Sequence, residues 1–179
     1  MFYEFNSLKE EHKYNTIYLL GFMGAGKTSM GAAVAKRLGI RFIDTDDYIA
    51  LMQGSSVKQL IENQGEGHFR KLEKNALLSI MKDNDRKIIA TGGGMPCYED
   101  NMERMMSSGY TIYLEWPLDV LHDRIKNSIE RPLIQLNKDR LKSFLKEELN
   151  KRESIYKCAD LTLEMPSVES LYNSILSIP

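Results

Sequence analysis

Residues Gly21 to Thr28 read GFMGAGKT: a glycine, four variable positions, a second glycine, a lysine and a threonine, directly after the apolar run Ile17 to Leu20. Glycines in such a loop open backbone angles closed to other residues, so successive N–H groups can converge on phosphate oxygens with no side chain in the way. Lys27 adds a positive charge toward a β- and γ-phosphate, the Thr28 hydroxyl can ligate Mg2+, and the helix that starts here adds its positive end. Gly24, Ala25, Gly26, Lys27, Thr28 and Ser29 are therefore expected to wrap a triphosphate. The plainer alternative is a glycine-rich turn, which the preceding strand and following helix argue against.

Phe42-Ile43-Asp44-Thr45-Asp46-Asp47 sets two carboxylates, Asp44 and Asp46, after a second apolar run. One can serve Mg2+ through water and the other can accept a hydrogen bond from a substrate hydroxyl, the two needs of an enzyme that phosphorylates an alcohol. Aspartates are also common as helix caps and first-turn charges, and Asp47 fits that plainer role best. Lys87 to Gly94 reads KIIATGGG, an apolar run entering three glycines. Gly92, Gly93 and Gly94 would present bare backbone N–H donors to a small polyol, or form a flexible turn. Met95-Pro96 ends that loop.

Three arginines complete the set. Arg152 falls on the same helical stripe as Leu145, Leu149, Ile155 and Tyr156, where an apolar residue is expected. A charge facing inward there needs a partner, either a bound anion or a structural ion pair. Arg70 opens the helix of Leu72 to Ile80 with Glu73 three residues on, so a simple intrahelical pair is its plain alternative. Arg131 lies in the polar stretch between two helices, where a loop could close over phosphates.

The elements that must position these residues form one rhythm. Strands are expected at Ile17 to Leu20, Arg41 to Ile43, Ile88 to Ala90, Thr111 to Leu114 and Leu161 to Leu163, with helical periodicity between them. Leu72, Ala76, Leu77 and Ile80 mark one core-facing helix, and Leu141, Leu145, Leu149, Ile155 and Tyr156 another. Alternating strands and helices give an α/β fold with a parallel sheet covered on both faces, whose ligands sit beyond the carboxyl ends of the strands.

At 179 residues one core is expected. Lys plus Arg number 24 against 25 Asp plus Glu, which leaves no positive excess for nucleic acid or an acidic membrane surface. No apolar run reaches membrane-spanning length, so a cytoplasmic protein with a short N-terminal tail (1–15) is expected. Cys97 and Cys158 form no CxxC pair or cluster with His12, His68 or His122, and are expected to be buried free thiols.

Taken together, GFMGAGKT, FIDTD, GHFRKLE, TGGGM, RPLI and the late Arg152 resemble shikimate kinase in order and spacing, from about Ile17 to the C-terminus. The resemblance implies a three-layer P-loop kinase fold over 16–179, similar to nucleoside monophosphate kinases. It comprises a five-stranded parallel sheet flanked by helices, a substrate-binding segment at about 45–73 and a lid at about 127–140. It further implies that Asp46, Arg70, Gly93 and Arg152 hold shikimate, with both arginines on its carboxylate and Gly92 and Gly94 flanking. Thr28 and, through water, Asp44 would serve Mg2+; Lys27, Asp46 and Arg131 would be catalytic; Arg131 and Arg124 would contact ATP, Arg124 against the adenine. Glu73 would orient Arg70. After the last expected strand, where some members have a basic or polar residue near the adenine, this chain has Met165-Pro166-Ser167. The implied partners are shikimate and ATP, acting on a monomer. The competing functions are a related gluconate or nucleoside monophosphate kinase and a non-catalytic nucleotide-binding module.

Overall fold

Short apolar runs bounded by polar residues form strands when both faces are covered, because each residue then finds an apolar neighbour on either side. All five expected runs do so in the computed structural model, which describes residues 14–126 and 140–178. The strands are β1 (Thr16–Leu20), β2 (Arg41–Asp44), β3 (Lys87–Ala90), β4 (Tyr110–Glu115) and β5 (Leu161–Glu164). They pair in parallel in the order β2-β3-β1-β4-β5. Every residue of β1 and β3 is buried, as central strands require. The strands outrun the expected apolar spans by a residue or two, taking in Thr16, Asp44, Lys87, Tyr110, Glu115 and Glu164. The ladder is made by backbone groups, which continue after the apolar side chains stop.

Between the strands lie α1 (Lys27–Leu38), α2 (Thr45–Gln53), α3 (Val57–Gln64), α4 (Glu66–Ile80), a 3-10 turn at Met95–Cys97, α5 (Asn101–Ser108) and α6 (Leu118–Ile125). The last two helices are α7 (Leu141–Tyr156) and α8 (Val168–Leu176). Helix α1 packs on β2 and β3 and against α8. It lies so close to the sheet that a Cβ on Gly31 would come within 2.7 Å of the Phe42 ring. Helix α4 begins at Glu66, not at Arg70: its first turn is polar and carries no apolar period, and Gly65 caps it at φ 83°.

The main core joins Ile17, Leu19, Ile88, Ile89, Ile112 and Leu114 of the sheet to Val34, Leu77, Leu145 and Leu171 of the helices. Ile49, Leu60, Phe69 and Ala76 form a second cluster that ties α2, α3 and α4 together. The segment 45–73, expected to take up substrate, thus has a small core of its own. Residues 1–13 and 127–139 lie outside the described residues, so the tail and nearly all of the expected lid are not placed. Among the described residues no helix is long and apolar enough to cross a membrane. Both thiols are free, but Cys158 is exposed and Cys97 only half-buried, contrary to the expectation of buried thiols. Cys158 falls in the turn after α7, off the apolar stripe.

Candidate active site

The carboxyl ends of β1, β2 and β3 all open on the same side of the sheet, because the strands are parallel, and each is followed by a segment singled out by its chemistry. After β1 the chain turns through Gly21 to Gly26. Gly24 and Gly26 sit in the left-handed region, at φ 82° and 86°, and a Cβ on Gly24 would meet Ile125 at 2.8 Å. Gly26 is also the N-cap of α1 and has no side chain to cap with, so the first N–H groups of that helix face the loop. Lys27 is buried, and its ammonium donates to the carbonyl oxygens of Gly21 and Phe22 at 2.8 and 3.1 Å. The ammonium is thereby folded back over the loop it would serve. Ser29 Oγ donates to the Gly26 carbonyl at 3.2 Å.

Asp44 is at once the last residue of β2 and the N-cap of α2. Its Oδ1 accepts from the Asp46 backbone N–H at 2.9 Å, while its Oδ2 accepts from the Thr28 hydroxyl at 2.6 Å. The capping role weighed for this residue is therefore present through Oδ1, while Oδ2 is tied to the first turn of α1 through Thr28. Two oxygen donors side by side at the mouth of the phosphate loop fit Mg2+, which takes one or two protein oxygens and fills its shell with water and phosphate. Next to them the buried Thr45 hydroxyl accepts from the Gly92 N–H at 2.8 Å and joins the end of β2 to the triple glycine.

The three glycines are where the remaining candidates meet. A Cβ on Gly92 would lie 2.6 Å from Glu73 Oε1 and 2.8 Å from Asp46 Oδ1; one on Gly94 would lie 2.3 Å from Arg70 Nη1. Gly93 faces the phosphate loop, with its Cβ position 3.6 Å from the Gly21 carbonyl oxygen. Arg70 donates to Glu73 and to Glu66, each at 2.6 Å. Glu73 is almost wholly buried. Burial raises its carboxyl toward about 7; Arg70 opposes that rise, Asp46 adds to it and Arg152 counteracts it. Arg152, on α7, pairs with Glu148 at 2.5 Å and lies 5.6 Å from the centre of the Phe22 ring of the phosphate loop. Its side chain is 13% exposed, so the inward charge read from the helical stripe is present and has a structural partner. Both arginines also act on the Cys97 thiol, which burial pushes up and they pull down.

Arg124 stacks on the Trp116 indole, 3.6 Å from the ring centre, and donates to the Gly24 carbonyl at 3.0 Å. The indole N–H donates to the Ala25 carbonyl at 3.0 Å. Sequence reasoning passed over Trp116, although it follows β4 and so met the criterion of lying just beyond a strand. It likewise passed over Thr45, Glu148 and the hydroxyl of Tyr156, which donates to the Gly93 carbonyl. All the candidate residues that are described thus join one continuous set of contacts. Arg131, expected to act from the lid, lies outside the described residues. The arrangement offers a phosphate-binding loop, a carboxylate beside it and two arginines around a bare glycine backbone, which suits phosphoryl transfer to a small, negatively charged alcohol.

The family model described as shikimate kinase matches residues 23–175. A shikimate kinase of Bacteroides fragilis is 40% identical over 162 residues, covering 86% of this chain and 90% of the relative. A crystal structure of shikimate kinase from Bacteroides thetaiotaomicron has TM-score 0.82 at 36% identity, covering 89% of this chain and 95% of that one. Shikimate kinase from Acinetobacter baumannii in complex with shikimate has TM-score 0.84 at 31% identity and covers 92% of both chains. A gluconokinase from Sinorhizobium meliloti shares the fold alone, at 15% identity and TM-score 0.53.

Proposed function

This chain belongs to the shikimate kinase family, and on that premise we propose how its residues carry the reaction, transfer of the γ-phosphoryl group of ATP to the 3-hydroxyl of shikimate. The observation that carries the proposal is the meeting of Asp46, Glu73 and Arg70 around Gly92 to Gly94, in contact with the phosphate loop. The 3-hydroxyl donates to Asp46, which takes up its proton as the oxygen forms a bond to the γ-phosphorus. The bond from that phosphorus to the β–γ bridging oxygen breaks, and ADP leaves. Arg70 and Arg152 hold the shikimate carboxylate, and Gly92 to Gly94 lie along the ring, where a side chain would not fit.

On the nucleotide side, the N–H groups from Gly24 to Ser29 cradle the phosphates and Lys27 swings from the loop carbonyls to the transferring group. Arg124 lies against the adenine, and Arg131 reaches the phosphates from the lid. Thr28 and, through water, Asp44 hold Mg2+, which when bound offsets charge on the β- and γ-phosphate oxygens. A monomer in the cytoplasm completes the proposal. The product, shikimate 3-phosphate, leads to chorismate and the aromatic amino acids. A coupled assay for ADP release, with shikimate, gluconate and nucleoside monophosphates offered in parallel, tests it. Release is expected with shikimate alone, and faster release with either rival would overturn the assignment.

A further inference from the structure

We propose that Tyr156 is a positioning residue for the carboxylate-binding arginine, its hydroxyl locking Arg152 and the triple-glycine loop into one unit. The inference rests on the assignment of Arg152 to the shikimate carboxylate.

Tyr156 is wholly buried at the last turn of α7, four residues after Arg152, so the two side chains lie on the same face of the helix. Its ring packs on Tyr113 of β4, with centres 5.2 Å apart, which fixes where the hydroxyl points. That hydroxyl donates to the Gly93 carbonyl, 63 residues earlier in the chain. The Cβ position of Gly93 is 3.7 Å from the same hydroxyl oxygen, so loop and tyrosine are in direct contact. Arg152 also acts on this oxygen: burial pushes the hydroxyl's pKa well up, and the charge and hydrogen bonding of Arg152 counteract it.

One oxygen therefore faces both substrate-binding elements. With the hydroxyl proton given to Gly93, the oxygen keeps lone pairs that can accept from a guanidinium one turn back on the same helix face, while Arg152 holds Glu148 through Nη2. The interior is tightly packed and the tyrosine ring cannot drift, so the hydroxyl fixes the distance between arginine and glycine backbone that a bound ring must span.

Tyr156→Phe removes the oxygen and keeps the ring packed on Tyr113. It is expected to raise the KM for shikimate about tenfold, the scale for a lost buried hydrogen bond, with the KM for ATP little changed and the melting temperature lower by about 2–4 °C. Because Tyr156 acts through Arg152, the double variant with Arg152→Lys should be scarcely worse than Arg152→Lys alone. Tyr113→Phe, which alters the same ring stack and leaves the Gly93 contact in place, should keep the wild-type KM for shikimate.

An unchanged KM in Tyr156→Phe would overturn the proposal, as would equal rises for both substrates, fully additive losses in the double variant, or the same loss in Tyr113→Phe. These failures are distinct from failure of the underlying assignment, in which Arg152→Lys by itself would leave the KM for shikimate unchanged.

Discussion

Asp46 stands where the end of β2, the phosphate loop and the triple glycine come together, and that position is the ground on which its carboxylate is proposed as the acceptor for the attacking hydroxyl's proton. Asp46→Asn keeps the shape and removes the basicity, so turnover should fall by about 10² or more, with circular dichroism unchanged. Near-normal turnover in a folded Asp46→Asn protein would remove it from the chemistry. Glu73 gives a second test through pH. Its carboxyl is raised toward about 7 by burial, and Arg70 is the main influence pulling it down. A bound shikimate carboxylate takes a share of Arg70 and adds negative charge nearby, so the Glu73 pKa should rise further in the complex. Near pH 7 the complex then holds more protons than the free protein, and by linkage affinity for shikimate falls as pH rises through about 7. Calorimetry at pH 7 in two buffers of different ionisation heat should show proton uptake in wild type and none in Glu73→Gln. Equal heats in both buffers for wild type would contradict it.

In the loop between β3 and the 3-10 turn, Gly92 and Gly94 leave room for Glu73, Asp46 and Arg70, whose side chains a Cβ would meet. Gly94 has ordinary backbone angles, φ −90° and ψ −15°, so the backbone tolerates alanine; the obstacle is Arg70, whose Nη1 would be 2.3 Å from the new Cβ. Gly94→Ala should therefore displace Arg70 and raise the KM for shikimate about tenfold or more, the worth of a charged hydrogen bond, with the KM for ATP nearly unchanged. A rise confined to ATP would mean that this loop faces the nucleotide. The elements themselves were legible because the central strands of a covered parallel sheet are near-continuous buried runs, and the edge strands β2 and β5 still carry two apolar residues each within RFI and LTL. The start of α4 was not, because Glu66 to His68 carry no apolar period. Asp44 could not be read as a cap or a ligand from sequence because one oxygen makes the cap and leaves the other to face Thr28 and the phosphate loop. Trp116 and Tyr156 were hidden for another reason: their polar contacts go to backbone carbonyls of Ala25 and Gly93, which no side-chain pattern encodes. The helical stripe made Tyr156 look like core, which its ring is.

The sheet order puts β1 between β3 and β4, so the chain leaves the central strand toward opposite sides and a crevice opens at its carboxyl end. The phosphate loop fills that crevice, with the triple glycine after β3 on one side and Trp116 and Arg124 after β4 on the other. The proposal places alcohol and nucleotide on opposite flanks of one loop, and helices distant in sequence, α4 and α7, carry Arg70 and Arg152 on the triple-glycine side. Each arginine already pairs with a glutamate, Arg70 with Glu73 and Glu66 and Arg152 with Glu148. The central claim is that they read a bound carboxylate beside those partners. A planar guanidinium grips a carboxylate through two hydrogen bonds, a geometry that lysine cannot reproduce. The decisive measurement is calorimetric titration of shikimate and of its neutral carboxamide into wild type, Arg70→Lys and Arg152→Lys. Shikimate should bind each variant about ten- to a hundredfold more weakly than wild type, the cost of a charged hydrogen-bonded contact, while the amide, weak on wild type, should lose much less. Equal losses for acid and amide would mean that these arginines do not read the carboxylate.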